Sequence, residues 1–119
     1  DDGVVSYVDA SGTHLWDQQF GGSDTDYVYG LAIDSAGDVI AAGSVRTNPV
    51  FDLLQEGEDL VVARFSAAGA LLWAGQWGTE GQDFANSCTI GAGDTVVIGG
   101  FASRRLAGQS GYGPFVITF

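Results

Sequence analysis

Three observations in the sequence predict an all-β fold. Apolar and polar residues alternate over short stretches, the pattern of half-buried strands. Those stretches are rich in Val, Ile, Phe, Tyr, Trp and Thr and are bounded by Gly, Ser, Asp or Asn, as pleated strands and tight turns require. The chain also aligns with itself at an offset of 57 residues.

The strands follow in order. Val4–Val8, Leu15–Phe20, Tyr27–Ile33 and Val39–Val45 form one set. Leu60–Phe65, Leu71–Trp77, Phe84–Ile90 and Thr95–Phe101 follow, and Phe115–Phe119 closes the chain. No window carries a helical stripe; Val50–Gln55 is the one stretch that allows a helical turn inside a longer loop. Hairpin turns are expected at Asp9-Ala10-Ser11-Gly12 and Asp34-Ser35-Ala36-Gly37-Asp38, with copies at Ser66-Ala67-Ala68-Gly69 and Gly91-Ala92-Gly93-Asp94. In each, Gly is placed where the backbone needs a positive φ.

The self-alignment pairs Gly12 with Gly69, Leu15 with Leu72 and Trp16 with Trp73. It continues through Gly21/Gly78, Asp26/Asp83, Tyr27/Phe84, Ile33/Ile90, Val39/Val96 and Gly43/Gly100. A third copy begins at Phe115, which matches Val61. A period of four strands in about 57 residues is the mark of antiparallel four-stranded β-propeller blades. The chain divides into copies over about 1–57 and 58–111, with a third beginning over 112–119, and so holds about two blades plus one extra strand. Small residues (Gly30, Ala32; Ala85, Ser87, Cys88) suit the crowded inner strand of a blade. Val39–Val45 is then the second strand, Leu60–Phe65 the third and Leu71–Trp77 the outermost.

Composition narrows the function. The 119 residues carry 15 Asp+Glu against 4 bases, all Arg (46, 64, 104 and 105), for a net charge of −11. Such a surface repels phosphates, which argues against nucleic acid and anionic membranes as partners. No apolar run is long enough to insert in a membrane. With 45% hydrophobic residues the chain is not a disordered acidic tail. It begins Asp1-Asp2-Gly3 without an initiator Met, so a mature form or a fragment of a longer protein is expected. The single cysteine, Cys88, is expected to be a buried, inert thiol.

The run Tyr7-Val8-Asp9-Ala10-Ser11-Gly12-Thr13-His14-Leu15-Trp16, then Phe20-Gly21-Gly22-Ser23-Asp24-Thr25-Asp26-Tyr27, then Gly30-Leu31-Ala32-Ile33-Asp34-Ser35-Ala36-Gly37-Asp38-Val39 resembles the bacterial SBBP-type β-propeller repeat. The second copy departs from that pattern, with Ser66 for Asp9, Gly91 for Asp34 and Gly78-Thr79-Glu80-Gly81 for the Gly-Gly-Ser-Asp loop. The element Asp9-x-x-Gly12-x-x-x-Trp16 bears a fainter likeness to the tryptophan-docking turn of quinoprotein propellers. The SBBP resemblance implies an extracellular or cell-surface bacterial protein and no enzymatic activity.

Two blades do not close a ring, since closed propellers use about 4–8. Further copies of the chain, or the remaining blades of a longer one, are therefore the expected partners. A loop face is expected to gather Ser23, Asp24, Tyr29, Asn48, Trp77, Glu80, Asp83 and Arg104 as ligand-binding residues. Asp24 and Asp26, with Thr25 between them, suit a hard cation such as Ca²⁺, although their spacing is no complete metal loop and they also read as solvated turn acids. Trp16, Trp73, Tyr27 and Phe84 recur at equivalent positions and are read as blade packing. Trp77 and Tyr29 escape that argument, which leaves glycan stacking open. Asp9, Ser11 and His14 sit on one hairpin without a shared nucleophile geometry; no catalytic constellation is expected.

Overall fold

The computed structural model describes residues 1–21, 24–46, 58–78, 81–102 and 113–119. It is an all-β chain of antiparallel sheets. The strands are β1 (Gly3–Val8), β2 (His14–Phe20), β3 (Tyr27–Ile33), β4 (Val39–Arg46), β5 (Glu58–Phe65), β6 (Leu71–Trp77), β7 (Asp83–Ile90), β8 (Val96–Ala102) and β9 (Gly113–Thr118). Each contains most of one predicted stretch. The segment Val50–Gln55 lies outside the described residues.

The strands form three sheets in the orders β1-β2, β3-β4-β5-β6 and β7-β8-β9. None of them closes on itself among the described residues. The middle sheet is a meander of four antiparallel neighbours. A parallel bridge from Glu58 to Gln82 ties it to the third.

The centre of the middle sheet is buried on both faces, which explains why β4 is buried from Val39 to Val45 without alternation. On one face Val39, Ala41, Val45, Val61, Ala63 and Phe65 pack against Val5 of β1, with Tyr7 and Trp16 at the margin. On the other, Ile40, Ala42, Leu60 and Val62 meet Ala85 of β7 and Val96 and Ile98 of β8. A strand covered on both sides reads as a continuous apolar run, whereas β1, covered on one side, alternates. Close approach of β7 to β3 depends on Gly30, where a Cβ would stand 2.6 Å from the Cys88 amide nitrogen.

Repetition extends to the irregularities. The register shifts between Val28 and Gly30 in β3 and between Ala85 and Ser87 in β7, so Tyr29 and Asn86 are bulged at equivalent positions. It also shifts at Tyr7/Val8 and at Arg64/Phe65. The turns share one scheme. Asp9 Oδ1 accepts the Ser11 and Thr13 amides, and Asp34 Oδ1 those of Ala36 and Asp38. Ser66 Oγ does the same for Ala70. Gly12, Gly37, Gly69 and Gly93 have φ of 85°, 83°, 89° and 66°, as the turn chemistry predicts. Asp94 occupies the position of Gly37 and adopts φ 58°, which Asp tolerates better than most residues.

The turns also join the sheets. Trp16 of β2 covers Gly69, and its Nε1 donates to the Ala67 carbonyl at 3.0 Å. Gln18 Nε2 donates to the Gly69 carbonyl at 2.6 Å. At the next turn the Ser35 amide donates to Asp94 Oδ1 at 3.1 Å, and the Ser35 hydroxyl to Asp94 Oδ2. Arg64 holds Asp38 at 2.9 Å and also pairs with the buried Asp34.

Two glycines of equal φ should therefore respond differently to substitution. Gly12 has open space around it, so Gly12→Ala should cost about 1–2 kcal/mol, the left-handed backbone term alone. At Gly69 a Cβ would stand 2.8 Å from the Trp16 ring, so Gly69→Ala should cost about 1–3 kcal/mol more through overpacking. Denaturant unfolding of both variants measures the difference; equal losses would refute the Trp16 docking.

Candidate functional site

The sheets have two ends. One carries the four tight turns. The other gathers the strand ends at Gly3, Phe20, Tyr27, Arg46, Glu58, Trp77 and Asp83, and most of the sequence-predicted site residues belong to it. Ser23, Asn48, Glu80 and Arg104 lie outside the described residues.

The remaining acids divide by burial. Asp24 is exposed, and its carbonyl accepts from the Asp1 amino group at 3.4 Å. Asp26 is buried. Its amide donates to the Asp1 carbonyl at 2.7 Å, and its Oδ1 accepts the Arg46 amide at 3.0 Å. Asp26 thus ties the start of β3 to the end of β4, as a turn carboxylate accepting backbone N–H groups does. Asp83, its counterpart, is fully buried. No three His, Cys, Asp or Glu side chains converge on a metal-sized site among the described residues.

Sequence reasoning read Asp59 only as a loop-face acid beside Glu58 and overlooked Gln76. Asp59 is fully buried, and Gln76 Nε2 donates to its Oδ2 at 3.0 Å. Burial raises the Asp59 pKa against the opposing Gln76 hydrogen bond, and the nearby Asp83 charge raises it further. Beside this pair, Glu58 accepts from Arg46 Nε at 3.3 Å and from Gln82 Nε2 at 2.9 Å. The missed signal was present in the repeat: Asp2 precedes Asp59, and Gln19 precedes Gln76, by 57 residues.

The aromatic candidates occupy four environments. Trp16 is a packing residue between the first two sheets, stacked on Tyr7 at 5.3 Å and tilted against Phe65 at 6.1 Å. Tyr27 and Tyr29 are both exposed and stack on each other at 5.5 Å, Tyr29 being the bulged residue of β3. Phe84 is half-buried on β7. Trp73 and Trp77 approach Phe119 at 5.8 and 4.9 Å. With Arg64, Asp94 and Val96 these three rings line an open cleft of about 290 Å³. Aromatic walls with a cation and a carboxylate at the rim can stack on a flat apolar ligand and hydrogen-bond its edge.

The hairpin polar groups pair locally. Ser11 Oγ donates to Asp9 Oδ1 at 2.6 Å, while His14 Nε2 meets Asp17 Oδ1 at 2.7 Å. Those contacts lower the Asp9 and Asp17 pKa values, chiefly through Ser11 and His14 respectively.

No protein-family model matches the chain, and no curated protein matches it significantly.

Cys88 is half-buried against the core between the second and third sheets, and burial pushes its pKa up to about 11. The thiolate is the reactive form. At pH 8 the folded thiol should therefore react with a disulfide reagent roughly 100-fold more slowly than in the unfolded chain. Its rate should climb until about pH 11. Equal rates in folded and unfolded chains would refute this.

Proposed function

We propose that the chain is a run of β-propeller blades that serves as a non-enzymatic structural and interaction module, assembling with further copies of itself or with the rest of a parent chain. The observation that carries this reading is the contrast between the middle sheet and its neighbours. The middle sheet is a four-stranded meander whose two central strands, β4 and β5, are covered on both faces. The flanking sheets have two and three strands and leave apolar surface open.

That surface has a pattern. Leu31 and Ile33 of β3 are 54% and 55% exposed. They lie opposite Ala41 and Val39, on the face where the first sheet offers only β1 and β2. In the blade reading, the inner and second strands of a preceding blade would cover them. Val116 and Phe101 on the third sheet are exposed in the same way. Contiguous apolar surface of this kind marks an interaction site. The likeness to SBBP repeats supports a place outside the cell or on the bacterial surface.

Native mass spectrometry of the chain tests the assembly. A ring of roughly 2–4 copies is expected, from the usual blade count divided by two. A chain that stays monomeric at high micromolar concentration would overturn self-assembly.

A second reading, glycan binding, is favoured by the cleft of Trp73, Trp77 and Phe119 with Arg64 and Asp94. It predicts binding on a glycan array that Trp77→Ala abolishes. An array without a hit, or a variant that binds as well as the parent, would remove this reading.

A further inference from the structure

At the end of the middle sheet away from the tight turns, the fold leaves three buried side-chain oxygens unmatched, Ser44 Oγ and a neighbouring pair on Asp59 and Gln76. Asp59 is fully buried, and its Oδ1 has no hydrogen-bond partner. Gln76 is 8% exposed, and its Oε1 is also without a partner. The two side chains are joined by the Gln76 Nε2–Asp59 Oδ2 hydrogen bond, so the orphan oxygens flank a single contact. The Asp59 carboxylate packs directly against Gly78, where a Cβ would overlap Oδ1. Asp83 is fully buried as well, and its charge acts on Asp59.

A buried acceptor with no donor loses its hydration for nothing in return. Two groups could restore the balance. A proton on Asp59 would neutralise one of two buried carboxylates. A divalent cation would offset the Asp59 charge and would take both of that pair's orphan oxygens as ligands. Mixed carboxylate and amide oxygens in irregular geometry suit Ca²⁺ better than Mg²⁺, which demands a regular octahedron.

The first repeat contains the same set in more open form. Gln19 Nε2 donates to Asp2 Oδ2. The carboxylates of Asp2 and Asp26 both border Gly21, the counterpart of Gly78. A polar arrangement that recurs at one repeat position, while other turn residues have changed, belongs to the repeat's own design.

We propose that Asp59, Gln76 and Asp83 form an oxygen-lined site for a hard divalent cation of the Ca²⁺ class. The site needs no other chain and stands whether or not the propeller reading holds.

The test is a CaCl₂ titration of the chelator-treated full chain at pH 7, followed by calorimetry and by thermal unfolding. Saturable binding is expected, with a melting temperature that rises with Ca²⁺ because the ion binds the folded state. Asp59→Asn should bind at least about tenfold more weakly, a difference that the calorimetric Kd reads directly. Asp17→Asn, on the exposed side of β2, should bind like the parent. If Asp59→Asn does not fold, Tb³⁺ on the unaltered chain decides: tryptophan-sensitised emission that Ca²⁺ competes away supports the site, and no such emission overturns it. Three further results would overturn it: no saturable binding at millimolar Ca²⁺; equal affinity in Asp59→Asn; or a melting temperature raised by acid and indifferent to Ca²⁺, which would give the site to a proton.

Discussion

The structure depends on the double burial of β4 and β5. These two strands supply Ile40, Ala41, Ala42, Val45, Leu60, Val61, Val62, Ala63 and Phe65, all essentially inaccessible to solvent. Neither flanking sheet could bury its apolar face alone, since two or three strands are marginal in water without a surface to pack on. The middle sheet provides that surface twice. Its own backbone is satisfied by the β3–β6 ladders, so the apolar faces can be stacked without stranding polar groups.

This stacking fixes where polar residues can sit. In the middle sheet charged side chains are confined to the ends of the strands, and there they join neighbouring elements. Arg64, Asp34 and Asp38 form an ionic cluster at the turn end, and Ser35 with Asp94 links two hairpins 59 residues apart. At the opposite end Arg46, Glu58 and Gln82 connect the second and third sheets. Part of the net charge of −11 is thus spent on structure, and Asp26, Asp59 and Asp83 are among the most buried residues of the chain.

Much of this was legible in the sequence because its signals are local or periodic. The period of two located all nine strands. Two Asp-x-x-Gly turns and their two altered copies carry glycine at positive φ where the turn residues predict it. What stayed hidden depends on contacts across the sheet. Asp59 lies in a segment that reads as a loop acid beside Glu58, yet it is the register of β5 against β6 that buries it next to Gln76. The bulge at Tyr29 is likewise a feature that alternation alone does not announce. Asp24 and Asp26 look alike in sequence, yet only Asp26 reaches the Arg46 amide.

The turn Asp9–Thr13 has a consequence of a different kind. It is the counterpart of the turn that Trp16 covers, but no side chain lies over its glycine, and its geometry is held by Asp9, Ser11 and Thr13 alone. Its conformation is therefore set by five consecutive residues and not by the sheets around it. Such a loop is a natural graft point: a peptide epitope or an affinity handle can be carried there with the layered core left untouched.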